Sequence, residues 1–155
     1  DSLSKLYNRR YMDEHIKSIL EHKKYKHFSL ILLDIDNFKN INDTYGHPYG
    51  DTIIVKVAAI LNDNVRSGDI VSRWGGEEFL IFCPNATQDD AQKLAERLRI
   101  TIQNSLTKEN GEAVTSSFGV AEYLASHSDH ETYLQKVDQA LYTAKRSGKN
   151  RVEVY

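Results

Sequence analysis

The run Phe28-Ser29-Leu30-Ile31-Leu32-Leu33-Asp34-Ile35-Asp36 constrains the fold of this chain more than any other segment. Apolar and β-branched side chains fill nearly every position from 28 to 35, so a strand there needs cover on both faces. That is the pattern of a central, fully buried strand. Its purely apolar stretch, residues 30–33, is far too short to cross a bilayer. Asp34 and Asp36 place carboxylates where the strand must end.

The rest of the chain supplies partners for such a strand. Residues 8–24 are polar with Tyr11, Ile16, Ile19 and Leu20 interspersed, which predicts an amphipathic helix. A short helix is expected over residues 38–45, broken by Gly46 and Pro48-Tyr49-Gly50. From Asp51 to about Val65, Ile53, Ile54, Val57, Ala58 and Leu61 recur at helical spacing. Residues 70–74 and 78–82 flank Gly75-Gly76, the composition of a two-residue hairpin turn. Residues 87–105 predict a helix with Thr87 as N-cap and Ala91, Leu94, Ala95, Leu98 and Ile102 on its buried face. A strand over residues 114–123, bending near Gly119, follows. Ser128 and Glu131 have the spacing of a capping box opening a last helix. Its stripe is Tyr133, Val137, Leu141 and Ala144, and Gly148 ends it. Residues 152–155 add a final strand. Strands and helices mixed in this order predict an α/β (α+β) domain, a mixed sheet with helices packed against it.

With 155 residues the chain fits one domain, 1–155. Twenty basic residues against 22 acidic ones give a net charge of −2, which argues against a broad surface for a nucleic acid polymer. A local phosphate site remains open. The single cysteine, Cys83, excludes an internal disulfide and suits a reducing, cytoplasmic setting. Residue 1 is not Met and no signal peptide is visible, so the expectation is a fragment of a longer protein, with a sensory or membrane portion upstream.

Two segments carry candidate chemistry. At Asp34-Ile35-Asp36-Asn37-Phe38-Lys39 a strand gives way to a helix, exposing backbone N–H groups that suit phosphate, beside carboxylates that suit a hard divalent cation. Taken alone, the segment is better explained by Asp36 capping the helix and Asp34 being solvated, because acidic strand ends are common. In Arg73-Trp74-Gly75-Gly76-Glu77-Glu78-Phe79 the glycines allow the positive dihedrals of a tight turn. A two-residue loop would put Glu78 across from Arg73, neutralising it, and leave Glu77 as the free carboxylate; a four-residue loop would change that pairing.

Gly75-Gly76-Glu77-Glu78-Phe79 resembles the GG(D/E)EF signature of diguanylate cyclases, and four further blocks accompany it in order. Asp1-Ser2-Leu3-Ser4-Lys5-Leu6-Tyr7-Asn8-Arg9 resembles D-x-L-T-x-L-x-N-R, with Ser4 for Thr. Residues 34–43 are similar to D-x-D-x-F-K-x-x-N-D, residues 46–51 to G-H-x-x-G-D, and residues 140–150 to A-L-Y-x-A-K-x-x-G-(R/K)-N. The resemblance therefore covers nearly the whole chain.

It implies a mainly antiparallel central sheet surrounded by helices, like the nucleotide cyclase and polymerase palm. It implies a bacterial signalling enzyme, the C-terminal part of a longer protein, that joins two GTP into cyclic di-GMP and two pyrophosphates. By resemblance, Asp34, the carbonyl of Ile35 and Glu77 bind Mg²⁺ (or Mn²⁺), two per active half-site. Glu77 would also accept the proton, and Lys39 would stabilise transition-state charge. Backbone N–H groups from Asp36 to Lys39, with Lys145 and Lys149, would hold the β- and γ-phosphates; Lys149 stands where the family often has Arg. Asn42 and Asp51 match the guanine readers, with Phe38 and His47 lining the same pocket. A carboxylate paired with guanine N1–H and N2–H₂ would reject adenine on the order of 10⁴-fold. Alternatively, Asp51 is a helix N-cap or first-turn acid and His47 a structural loop histidine. Arg66-Ser67-Gly68-Asp69 has the position of the family's R-x-x-D inhibitory product site, with Arg97 as a further ligand. Catalysis would need a homodimer, since each domain offers one GTP. No membrane contact is expected of the domain itself. A regulatory receptor that binds GTP or cyclic di-GMP is the competing class, disfavoured by intact Asp34, Lys39 and Glu77.

Overall fold

The computed structural model describes residues 1–155, the side chain of His127 set aside. The apolar run becomes β1 (His27–Ile35), joined by β2 (Ile70–Arg73), β3 (Glu78–Pro84), β4 (Ser116–Leu124) and β5 (Val152–Val154) in one sheet ordered β2-β3-β1-β4-β5. β1 is central and antiparallel to both neighbours, β3 and β4. Only β5 runs parallel, against β4.

Alternation along β1 sorts the core into two layers. Ile31, Leu33 and Ile35 face α2 (Phe38–Tyr45), α3 (His47–Asn64) and α4 (Gln88–Ser105), meeting Ile41, Ile54, Val57, Leu61, Ala95 and Leu98. Phe28, Leu30 and Leu32 face α1 (Arg9–His22) and α5 (Leu134–Arg146), meeting Met12, Ile16, Val137 and Leu141. The two-sided burial expected of residues 28–35 is thus what the sheet provides. Among the described residues no helix is long and apolar enough to cross a membrane.

β4 runs unbroken through Gly119, so the glycine serves close approach rather than a bend. A Cβ there would stand 2.4 Å from the Leu141 amide nitrogen and 2.6 Å from the Val137 carbonyl, so α5 lies directly on the strand. That contact fixes where the C-terminal end of α5 delivers Lys145.

Some local expectations need correction. α3 begins at His47, so Pro48-Tyr49-Gly50 starts a helix instead of breaking one; proline is tolerated in a first turn because its missing N–H has no partner there. Asp51 consequently lies inside the helix and is not its N-cap. α5 begins at Leu134, without a side-chain cap. The Ser128 hydroxyl donates to the Leu124 carbonyl (2.8 Å), and Asp129 takes the Thr132 amide (2.9 Å), so no Ser128–Glu131 capping box forms. Tyr11, counted with the apolar positions of the first helix, is exposed, and Met12 takes the buried place. Thr87 does cap α4, in a reciprocal box with Asp90.

Candidate active site

β1 delivers two carboxylates with different fates. Asp36 is buried, and both its oxygens are fully engaged: Oδ1 accepts from Ser117 Oγ (2.6 Å) and Lys145 Nζ (3.0 Å), Oδ2 from Thr115 Oγ1 (2.8 Å) and the Asn150 amide (3.0 Å). It neither caps α2 nor is available to a cation. Asp36 is a clamp joining the end of β1 to β4 and to the loop after α5. Asp34 remains reachable and meets Lys145 Nζ at 3.0 Å. Burial pushes its carboxyl pKa up, opposed by Lys145 and reinforced by the charges of Glu77 and Asp36.

The hairpin brings the other acids. β2 and β3 pair with Arg73 opposite Phe79, and residues 74–77 form the connection. The loop therefore has four residues, not two. The Glu78 carbonyl accepts from the amides of Trp74 (2.8 Å) and Gly75 (3.2 Å), and neither glycine of the pair has positive φ. Arg73 does not neutralise Glu78. Its guanidinium donates to the Gly76 carbonyl (3.1 and 2.8 Å) and pairs with Asp1 (3.3 Å), bracing the turn from the N-terminal block. Glu78 instead stands directly across from Asp34 in the β1–β3 register. Its pKa is raised by burial and then by Asp34, Asp138 and Glu77, with Arg9 opposing. Glu77 lies one step further, its carbonyl accepting the Ile35 amide at 3.2 Å. Asp34, Glu77 and Glu78 thus converge at one end of the sheet. The sequence reading missed Glu78 because the turn length, which sets register, was not legible from two glycines.

Beside this acidic corner lies a cleft of about 460 Å³, within the range of small-molecule sites. Phe38, Lys39, Asn42, His47, Asp51 and Glu77 all line it, together with Asp43, Arg73 and Gly76. Six residues singled out in the sequence therefore share one surface. The Asn42 side-chain oxygen is buried and has no hydrogen-bond partner among the described residues. An orphaned buried acceptor is costly, about 1–3 kcal/mol, and marks a place for a donor. Asn42 can sit there only because residue 50 is glycine. A Cβ on Gly50 would stand 1.9 Å from Asn42 Oδ1 and 3.1 Å from the Phe38 ring. Gly50→Ala is expected to displace both, cost about 1–3 kcal/mol and lower the melting temperature by several degrees, measured by thermal unfolding.

The turn from β1 into α2 is set for an anion. Asn37 adopts a left-handed conformation (φ 56°), and its side chain makes no capping bond, so the first amides of α2 keep no intrahelical partner. The Asp36 amide, expected to join them, is already donated to the Thr115 carbonyl (2.9 Å) and is unavailable. Lys149 Nζ reaches Asn37 Oδ1 at 2.8 Å, and Lys145 stands between Asp34 and Asp36, so both expected phosphate lysines come to this end of the sheet.

Among the described residues no cluster of three His, Cys, Asp or Glu side chains encloses a metal ion. The donors nevertheless fit Mg²⁺ or Mn²⁺. Mg²⁺ is ordinarily held by one or two carboxylates and completed by phosphates and water, not by an all-protein cage. Here burial, with the charges of neighbouring carboxylates added, raises the pKa values of Asp34 and Glu78, and Lys145 is the cation paired to Asp34.

A second pocket, of about 190 Å³, lies between the loop after α3 and α4 and is lined by Arg66, Arg97, Asp90 and Lys93. Arg97 Nη2 donates to the Asn64 carbonyl at 2.6 Å. Asp69 is not part of its wall. Asp69 Oδ2 accepts the Arg66 amide (2.8 Å) and lies 3.8 Å from Arg66 Nε, and burial raises its pKa against the pull of Arg66. Arg66 and Arg97 are brought together, with Asp69 bracing the first.

The α+β fold, with its mostly antiparallel five-stranded sheet, matches that of solved GGDEF domains. The coiled coil and GGDEF domain of DgcB from Caulobacter crescentus, in complex with c-di-GMP, matches with a TM-score of 0.91 and 30% identity over 100% of this chain and 84% of that one. The active GGEEF domain of a diguanylate cyclase from Vibrio cholerae matches with a TM-score of 0.88 and 32% identity over 97% and 98%. In sequence, the family described as "Diguanylate cyclase, GGDEF domain" matches residues 1–151. The diguanylate cyclase DosC of Escherichia coli (strain K12) is 41% identical over 100% of this chain and 35% of its own length. The chain belongs to the GGDEF diguanylate cyclase family. It spans about a third of the length of the curated relatives it matches first, DosC among them.

Proposed function

We propose that this chain is the catalytic domain of a longer signalling protein and condenses two GTP into cyclic di-GMP and two pyrophosphates. The observation that carries the reading is the convergence of Phe38, Lys39, Asn42, His47, Asp51 and Glu77 on one cleft beside Asp34.

In this reading guanine enters between α2 and α3. Asp51 accepts from N1–H and N2–H₂, and the unpartnered Asn42 oxygen takes a further base or ribose donor. The triphosphate runs toward the open amides at the start of α2, where Lys145 and Lys149 stand. Asp34, Glu77 and the Ile35 carbonyl would hold Mg²⁺ or Mn²⁺, with Glu78 across from Asp34 as an added donor. The bound ions supply acidity to the attacking 3′-hydroxyl and offset triphosphate charge. The Glu77 carboxylate accepts the hydroxyl proton. The Lys39 ammonium, which has neither hydrogen bond nor ion pair among the described residues, is free to meet charge developing on the phosphate being attacked. Two 3′-hydroxyls must attack two α-phosphates, so two copies face each other with twofold symmetry. Incubation with GTP and Mg²⁺ followed by chromatography should yield a cyclic dinucleotide; ATP should yield on the order of 10⁴-fold less. GTP returned unchanged by a forced dimer would refute the proposal.

Product also acts as inhibitor in this account, held by Arg66 and Arg97 with Asp69 fixing the Arg66 backbone. Arg66→Ala is expected to shift the product-inhibition curve at least tenfold to higher cyclic di-GMP while leaving the initial rate near that of the parent. An unchanged inhibition curve would remove this site from the account.

A further inference from the structure

The loop after α5 adopts a run of left-handed residues: Gly148 (φ 122°), Lys149 (φ 63°) and Asn150 (φ 45°). Glycine accepts this conformation freely, but two successive side-chain-bearing residues do not, and such backbone persists only when its surroundings over-determine it. Asn150 is held from three directions. Its amide donates to Asp36 Oδ2 (3.0 Å), its Nδ2 donates to Gln103 Oε1 (3.3 Å), and its Oδ1 accepts from Arg99 Nη1 (2.9 Å). Arg99 is itself locked. Glu96 takes its Nε (3.0 Å) and Nη2 (2.5 Å) in a two-point fork, and Gln103 takes Nη1 (3.2 Å). Glu96, Arg99 and Gln103 lie three and four residues apart, along one stripe of α4.

We infer that Arg99 is a positioning residue for the triphosphate end of the site. Through Asn150 it fixes the left-handed turn that sets where Lys149 stands beside Asn37, and, because the Asn150 amide donates to Asp36 Oδ2, it also supports the Asp36 clamp. Arg99 touches no substrate in this arrangement; it acts through Lys149. The inference rests on the cleft taking GTP. An Arg–Glu pair on a helix surface that served only α4 would have no reason to give its remaining amino group to a loop 51 residues away in sequence.

Two measurements test it on the whole chain. Amide exchange, followed by NMR without nucleotide, should quicken on the order of tenfold at Lys149 and Asn150 in Arg99→Met, with Leu98 in α4 unchanged. Arg99→Lys, which keeps the charge beside Glu96 but loses the second amino group, should do the same and covers the case of a poorly folding Met variant. Affinity for a non-hydrolysable GTP analogue with Mg²⁺ should fall about tenfold in Arg99→Met. It should fall no further when Arg99→Met is added to Lys149→Gln, because the two act as one unit. Parent-like exchange at residues 149 and 150 would overturn the inference, as would an equal loss of affinity in both backgrounds. A parent protein that binds no GTP analogue would overturn the proposed function, and with it the triphosphate role, whereas normal parent binding with failed comparisons overturns the Arg99 assignment alone.

Discussion

Asp34→Asn is expected to lower the rate of cyclic di-GMP formation on the order of 10³-fold, because in the proposed reading it removes a charged cation donor at the centre of the acidic corner. Several kcal/mol of transition-state charge stabilisation come from such an ion, and about 4 kcal/mol corresponds to that factor. Stability should move the other way. Burial raises the Asp34 pKa in the folded chain above its unfolded value. A carboxyl raised in this way gives its full contribution to stability below the unfolded pKa and loses it as pH rises through the folded pKa. At pH 7, without divalent cation, the charged Asp34 is therefore a liability, and Asp34→Asn should melt above the parent. The difference should vanish below about pH 3, where the carboxyl is protonated in both states. Adding Mg²⁺ and GTP should raise the melting temperature of the parent far more than that of the variant. Thermal melts across pH, paired with product chromatography, check both halves. A variant that cyclises GTP at the parent rate would remove Asp34 from the chemistry.

Asp36→Ala carries the largest expected structural effect. Truncation leaves the hydroxyls of Thr115 and Ser117, the Asn150 amide and one arm of Lys145 without their acceptor. Breaking a buried, paired charge costs about 3–5 kcal/mol. For a domain of this size that lowers the melting temperature by roughly 10 °C. Activity should fall as well, because Lys145 and the 148–150 turn are both referenced to this carboxylate. Asp36→Asn keeps the shape but not the charge, and should sit between parent and Ala in both measurements. A melting temperature unchanged in Asp36→Ala would contradict the clamp.

Much of this architecture was readable before any coordinates. Eight near-continuous apolar positions ending in acids predicted a central strand, and β1 is that strand, with its faces split between two helical layers. The helix over residues 88–105 follows from apolar spacing and the Thr87 cap, which are local properties of the chain. What escaped was set by tertiary register. Two adjacent glycines look like a two-residue turn, but the loop takes four, and that difference moves Glu78 from Arg73 to Asp34. Asp36 looked like a helix cap, because nothing local announces that Thr115, Ser117, Lys145 and Asn150 converge on it from elsewhere in the chain. In the sequence Gly50 looks like a helix breaker; in the fold it leaves room for the Asn42 side chain. The shared cleft of Lys39, Asn42, Asp51 and Glu77 was legible only through the resemblance of ordered motifs, since spacing alone does not bring a β-hairpin beside two helices.

The central claim is that Asp34 and Glu77 share divalent cations beside a GTP triphosphate. A crystal grown with a non-hydrolysable GTP analogue and Mn²⁺, measured for anomalous scattering, tests it most directly. The account predicts manganese peaks bounded by Asp34, Glu77 and the Ile35 carbonyl, with guanine against Asn42 and Asp51. Nucleotide bound in that cleft with manganese elsewhere, or with no anomalous peak at the sheet end, would contradict it.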